Sequence, residues 1–180
     1  MKKALYLIGM RGAGKSTLGS LAAKALQADH LDLDHALEER FGMSILAFVE
    51  KNGINAFREE EYRFLQNIEQ KIQTNTLEND TVFILGGGIL EKEESRVLLQ
   101  QSLMPKIYLQ VPTQILWQRL KKNPERRKIG NLNSEEEFLR LFAQRQPHFK
   151  ALANIVFASP EGLAEAVLGL ENHCRKLWQQ

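Results

Sequence analysis

Gly9-Met10-Arg11-Gly12-Ala13-Gly14-Lys15-Ser16 decides how the rest of this chain is read. The eight residues fit G-x-x-x-x-G-K-[ST]. Upstream, Ala4 to Ile8 is a short apolar run, expected to be a buried strand. Downstream, Leu18, Leu21, Ala22 and Ala25 recur at helical spacing, so Ser16 to Leu26 is expected to be a helix. Strand, glycine-rich turn and helix together make a phosphate-binding loop. The glycines let the backbone curl so that its N–H groups point at phosphate oxygens. The helix N-terminus adds a favourable dipole and further donors. Lys15 places a charge on the β- and γ-phosphates, and the Ser16 hydroxyl can ligate Mg²⁺.

Working outward, apolar segments of strand and helix character alternate. Strands are expected at His30 to Asp32, Thr81 to Leu85, Lys106 to Gln110 and Ile155 to Phe157. Helices are expected at His35 to Phe41, Met43 to Asn52 with Gly53 as its cap, Glu59 to Gln73 and Glu94 to Gln101. Thr113 to Leu120 reads as a helix with Thr113 as its N-cap, and Ser134-Glu135-Glu136-Glu137 opens another that runs to about Arg145. A last helix starts around Ser159-Pro160-Glu161. Between the two preceding helices, residues 121–133 carry Lys121, Lys122, Arg126, Arg127 and Lys128 with little apolar pattern, which reads as a mobile loop. Alternating strands and helices imply right-handed crossovers and a mostly parallel sheet covered on both faces. No repeat or linker divides the 180 residues, so a single domain is expected.

The composition excludes several classes. Lys and Arg number 24 against 22 Asp and Glu, so charge gives no reason to expect nucleic acid as a partner. The one cysteine, Cys174, makes no internal disulfide and no thiolate metal site, and a cytoplasmic setting is expected. No apolar run approaches the ~20 residues of a membrane span. The histidines lack metal-ligand spacing, and Trp117 and Trp178 read as packing residues.

A phosphate loop alone means a nucleoside triphosphatase or a kinase. A guanine-reading N/T-K-x-D element is absent, and the apolar strand Val82 to Leu85 ends in Gly86 rather than in an acid. The metal acid must come from elsewhere. Asp32 and Asp34 sit at the carboxyl end of the second strand, where ligands bind in open α/β sheets. Alternation along an extended segment would aim both the same way. Arg58 and Glu61 are spaced to meet on one helix face. Gly86-Gly87-Gly88 permits close approach to the backbone, and Arg145 closes the late helix, either in a site or as a dipole partner.

In this order and spacing, the phosphate loop, Asp32-x-Asp34, Phe57-Arg58-x-x-Glu61, Gly86-Gly87-Gly88 and Arg145-x-Pro147 resemble the shikimate kinase family. The resemblance covers Leu5 to Phe157 and extends to the kinase domain of the fungal multifunctional polypeptide of the same pathway. It implies a three-layer α/β phosphate-loop kinase fold with a five-stranded parallel sheet in order 2-3-1-4-5. It implies transfer of the ATP γ-phosphoryl to the 3-hydroxyl of shikimate in aromatic amino-acid biosynthesis. The nucleotide would be held by Gly12, Ala13, Gly14, Lys15, Ser16 and Thr17, and Mg²⁺ by Ser16 and Asp32. Asp34 would contact the reacting diol. Arg58, Gly86, Gly87, Gly88 and Arg145 would hold the shikimate ring and carboxylate, with Glu61 orienting Arg58 and Phe57 supporting it. The substrate-binding helical region would span about 34–61.

The basic loop at about 121–133 resembles the family's mobile lid, with Arg126 as the lid arginine that neutralises the transferring group. Arg119 falls where a family arginine packs on adenine. A monomer is the expectation, although the residues themselves leave the oligomeric state open. The chain departs from the family at three places. The lid lacks its proline, reading Arg126-Arg127-Lys128-Ile129, so Arg127 is an alternative to Arg126. Phe149 and Asn154 stand where a tyrosine and an acid are usual. The competing readings are a gluconate-kinase-like enzyme of the same fold and a non-catalytic sensor.

Overall fold

Ala4–Ile8 (β1) is buried at every residue, as befits a strand with neighbours on both sides. Thr81–Ile84 (β3) pairs with it on one edge and Lys106–Gln110 (β4) on the other. Asp29–Asp32 (β2) and Ile155–Ala158 (β5) are the outer strands, and both are partly exposed. All pairs are parallel, in the order β2-β3-β1-β4-β5. The structure is a computed structural model that describes residues 2–123, 127, 129 and 132–179.

The helices are Lys15–Ala25 (α1), Leu33–Phe41 (α2), Ile45–Asn52 (α3), Ile54–Gln73 (α4), Glu93–Gln101 (α5), Thr113–Lys121 (α6), Glu135–Leu152 (α7) and Leu163–Trp178 (α8). The chain runs from β1 outward to β2, and every later connection runs the other way. Right-handed crossovers therefore put helices on both faces of the sheet. The register then gathers the carboxyl ends. Leu7 and Asp32 both lie level with Ile84. The segments leaving β1, β2 and β3 thus emerge at one edge of the sheet, where the phosphate loop, Asp32-Asp34 and the triple glycine meet.

Several element boundaries differ from the sequence expectation. α4 begins at Ile54 rather than Glu59. Its buried face includes Arg58 and Glu61, and charged residues on an inner face hide the apolar period. Gly53 alone links α3 to α4, at φ 85°, capping one and opening the other. α7 continues through Pro147 to Leu152 instead of stopping at Arg145. A proline costs an internal helical hydrogen bond, but Phe149 beyond it is fully buried and stacks on Tyr108 of β4 at 5.3 Å. Packing holds the last turn. Arg145 is therefore not at a helix end, and the dipole role falls away. The N-cap of α6 is Pro112, not Thr113, whose hydroxyl faces Gln114. α8 opens at Gly162, after the Ser159-Pro160-Glu161 segment.

Two of the three departures from the family pattern have local explanations. Phe149 is fully buried in a ring stack, where an added hydroxyl would need a hydrogen-bond partner. Asn154 Oδ1 accepts from Lys106 N at 2.8 Å and Asn154 N donates to Lys106 O at 2.9 Å, tying the start of β5 to β4. Trp117 is buried and stacks on Phe138 at 5.6 Å, a packing role. Cys174 is fully buried, and desolvation pushes its thiol up to about 12, so it is unreactive at neutral pH. No helix among the described residues is long and apolar enough to cross a membrane.

Candidate active site

The loop after β1 turns on left-handed glycines, Gly12 at φ 84° and Gly14 at φ 92°, which a side chain would disfavour. Gly14 is also the N-cap of α1. The Lys15 ammonium donates to Gly9 O at 2.9 Å and Met10 O at 3.1 Å, bracing the loop from within. The loop separates two cavities of about 350 Å³ each. Gly12, Gly14 and Thr17 line both.

The first cavity brings together Lys15, Ser16, Asp32, Asp34, Gly87 and Gly88, with Phe57 and Glu61 in its wall. Asp32 and Asp34 reach it in a way that strand alternation did not foresee. Asp32 ends β2 and caps α2, its Oδ1 accepting from Asp34 N at 3.0 Å and His35 N at 3.4 Å. Asp34 lies in the first turn of that helix. The strand stops where the cap begins, so the two carboxylates are set by cap geometry. Burial pushes the Asp34 carboxyl above the ordinary carboxylate range. Lys15 opposes that shift and the Asp32 charge adds to it.

Glu61 is 1% exposed and accepts from Arg58 Nη1 at 2.5 Å. Burial raises its pKa too, against the pull of Arg58 and with a further push from Asp34. Arg58 also lies over the Phe57 ring, 5.3 Å from its centroid. The base of α4 is fixed to the sheet by Tyr6, whose hydroxyl donates to Glu69 at 2.5 Å. Arg145 crosses from α7, and its Nη1 donates to Gly87 O at 3.1 Å. Burial and the neighbouring guanidinium groups of Arg58 and Arg11 push its pKa down to about 9, with Glu61 opposing; it stays charged at neutral pH. Its Nε is buried with no hydrogen-bond partner among the described residues.

The triple glycine is a matter of space rather than of conformation, for none of the three is among the positive-φ glycines. A Cβ on Gly86 would lie 2.6 Å from Asp34 Oδ1 and 2.7 Å from Glu61 Oε1. One on Gly87 would lie 2.5 Å from the Arg11 backbone nitrogen, and one on Gly88 would fall on the Arg58 guanidinium. Each glycine makes room for a different part of the site.

The second cavity, on the far side of the loop, is lined by Ala13, Arg119, Ser159, Pro160 and Leu163 among others. Arg119 Nη1 donates to Gly12 O at 3.1 Å and Ala13 O at 3.4 Å, holding α6 to the loop. Of the lid expectation, Arg126 lies outside the described residues. Arg127 is half-buried, with its carbonyl accepting from Leu132 N at 3.1 Å, and Ile129 lines the first cavity. Sequence reasoning passed over two site residues. Arg11, inside the phosphate loop, adds its charge beside Asp34, Glu61 and Arg145. Glu91 bridges Arg58 and Arg145. A basic residue among the loop's variable positions and an acid three residues past Gly88 were the available signals.

A phosphate cradle that opens into a polar cavity shared with Asp34, Gly87 and Gly88, on a sheet of this order, places the chain among the phosphate-loop kinases of small molecules, ATP-dependent phosphotransferases. A family model for shikimate kinase matches residues 11–170, and the chain belongs to the shikimate kinase family. It is 34% identical over 171 residues to the shikimate kinase of Enterococcus faecalis, covering 92% of this chain and 96% of that one. The structure of the Acinetobacter baumannii shikimate kinase in complex with shikimate superposes with a TM-score of 0.78. It is 25% identical, covering 99% of this chain and 92% of that one. A gluconokinase from Sinorhizobium meliloti gives a TM-score of 0.55 at 14% identity over 98% and 94% of the chains, a likeness of fold alone.

Proposed function

We propose that the chain transfers the γ-phosphoryl group of ATP to the 3-hydroxyl of shikimate, giving shikimate 3-phosphate and ADP. The observation that carries this reading is the first cavity, which Lys15, Ser16 and Asp34 line together with Gly87 and Gly88. In this reading the loop amides from Gly12 to Thr17 and the Lys15 ammonium meet the phosphates. The second cavity accepts the base, with Arg119 along its edge. Arg58 and Arg145 take the shikimate carboxylate, since planar guanidinium groups suit a carboxylate fork. Gly86, Gly87 and Gly88 let the ring lie close to the backbone.

Asp34 accepts the proton of the attacking hydroxyl while that oxygen bonds to the γ-phosphorus and ADP departs. A carboxyl held above its ordinary range is better matched to this proton than a solvated one. Glu61 keeps Arg58 in place. The lid, with Arg126 or Arg127, closes over the transferring group.

The residues fit Mg²⁺. Ser16 and Asp32 offer hard oxygens to the first cavity, and the cap of α2 uses only Oδ1 of Asp32. Mg²⁺ is bound with one or two protein oxygens plus phosphates and water, not by an all-protein cage. When bound, it neutralises charge on the β- and γ-phosphates.

The test is ADP release with ATP and Mg²⁺, alone and with shikimate, gluconate or quinate. Stimulation by shikimate alone is expected. Stimulation by gluconate, or by none of the three, would overturn the reading.

A further inference from the structure

Glu91 has no part in the reaction just described, yet it pairs with both arginines assigned to the acceptor carboxylate. It lies on the turn between β3 and α5, three residues past Gly88. Its Oε2 accepts from Arg58 Nε and its Oε1 pairs with Arg145 Nη2. One carboxylate thus spans two guanidinium groups, an oxygen on each. That is the arrangement a substrate carboxylate would adopt on the same pair.

Burial separates Glu91 from the other acid on Arg58. The side chains of Arg58 and Arg145 are 8% and 9% exposed and Glu61 is 1% exposed, whereas Glu91 is 32% exposed. Glu61 is walled in. Glu91 has open solvent to turn into. Its main chain, by contrast, is pinned. Glu91 N donates to Gly88 O at 2.9 Å, and Arg96 Nη1 donates to Leu90 O at 2.7 Å and Glu91 O at 3.4 Å. Backbone hydrogen bonds thus hold the turn, and the carboxylate is the exposed end of a side chain with rotatable bonds of its own.

We infer that Glu91 is a built-in occupant of the acceptor-carboxylate seat: it holds Arg58 and Arg145 together in the resting enzyme and is displaced by the carboxylate of the incoming substrate. This rests on the assignment of the two arginines to that carboxylate. The need for an occupant is electrostatic. Arg58, Arg145 and Arg11 are close enough to act on one another's charge; Glu61 offsets part of it, and buried like charges short of counter-ions are costly. The consequence is selectivity by exchange. A ligand must bring a carboxylate of its own to replace Glu91, so a neutral analogue of the same shape gains nothing from the arginines. Glu91 also competes with the true substrate, so it raises KM.

The test compares wild type with Glu91→Gln and Glu91→Ala, using shikimate and its neutral carboxamide as ligands. Both variants are expected to bind shikimate about tenfold more tightly, the lower end of a charge-assisted hydrogen bond. The carboxamide affinity should stay within about twofold, and the gain should appear in KM rather than in kcat. Without ligand the variants should melt lower than wild type, and shikimate should raise their Tm by more than it raises the wild type's. Unchanged or weaker shikimate binding in both variants would overturn the inference, as would equal changes for acid and amide. Arg58→Ala separates the two levels. If it leaves shikimate affinity intact, the arginine assignment fails and the inference with it. If it weakens shikimate while Glu91→Gln brings no gain, only the inference fails.

Discussion

Gly88→Ala is the sharpest single perturbation of the acceptor site. The backbone there needs no left-handed conformation, so the added methyl acts by volume alone. A Cβ would fall on the Arg58 guanidinium, with Nη1 only 2.6 Å away. Arg58 has little room to yield, held by Glu61 and Glu91 and lying on the Phe57 ring. Overpacking of this kind costs about 1–3 kcal/mol. At roughly 2–4 °C per kcal/mol for a chain of this size, a mid-range cost of about 2 kcal/mol lowers Tm by about 4–8 °C. In its proposed role a displaced guanidinium also loses a charge-assisted hydrogen bond to the substrate, about 1.5–3 kcal/mol. That converts to roughly a 10- to 150-fold rise in KM for shikimate. KM for ATP should move by less than about twofold, since the methyl meets Arg58 and not the phosphate loop. Gly87→Ala is the contrast, because its methyl would meet the Arg11 backbone at 2.5 Å. There the nucleotide KM should suffer as well. Steady-state kinetics in both substrates and a thermal melt read all of this. A shikimate KM within threefold of wild type for Gly88→Ala would refute the reasoning. So would identical profiles for the two variants.

Asp34→Asn should abolish turnover while melting at a higher temperature than wild type at pH 7. The native Asp34 carboxyl is raised above its unfolded value, so the folded state holds the extra proton. Stability is then lost as pH rises through the raised pKa, and an amide escapes that loss. The gain should shrink as pH falls to the ordinary carboxylate range, and a lower Tm for the variant at pH 7 would contradict the burial argument. In the wild type, turnover should fall on the acid side at a pH above that range if Asp34 is the proton acceptor proposed above; a pH–rate profile checks it. Neutralising Arg126 and Arg127 together should cut turnover more than it changes shikimate affinity, and equal turnover would remove the lid arginines from the mechanism.

Much of the fold was legible in local pattern. The buried strands read as apolar runs because parallel strands are covered on both faces, and Ser134 to Glu137 read as a capping box, which forms with both of its hydrogen bonds. Where the reading slipped, a charged or proline residue was doing an interior residue's work. Arg58 and Glu61 lie on the buried face of α4, and Pro147 is carried inside α7 by the packing of Phe149. Asp32 and Asp34 were recognised as a pair, but their geometry comes from a helix cap rather than from a strand.

By itself the sequence determined the phosphate loop, whose glycines and lysine act through local backbone geometry, and the alternation that dictates a parallel sheet. The three glycines at 86–88 were equally plain as letters. Only the tertiary structure decided what each is for, since Asp34, Glu61, Arg11 and Arg58 reach them from three other segments of the chain. Glu91 belongs to the same kind. Its meeting with Arg58 and Arg145 joins residues 33 and 54 positions away in the chain, and no local periodicity records a contact made by folding β3, α4 and α7 onto one another.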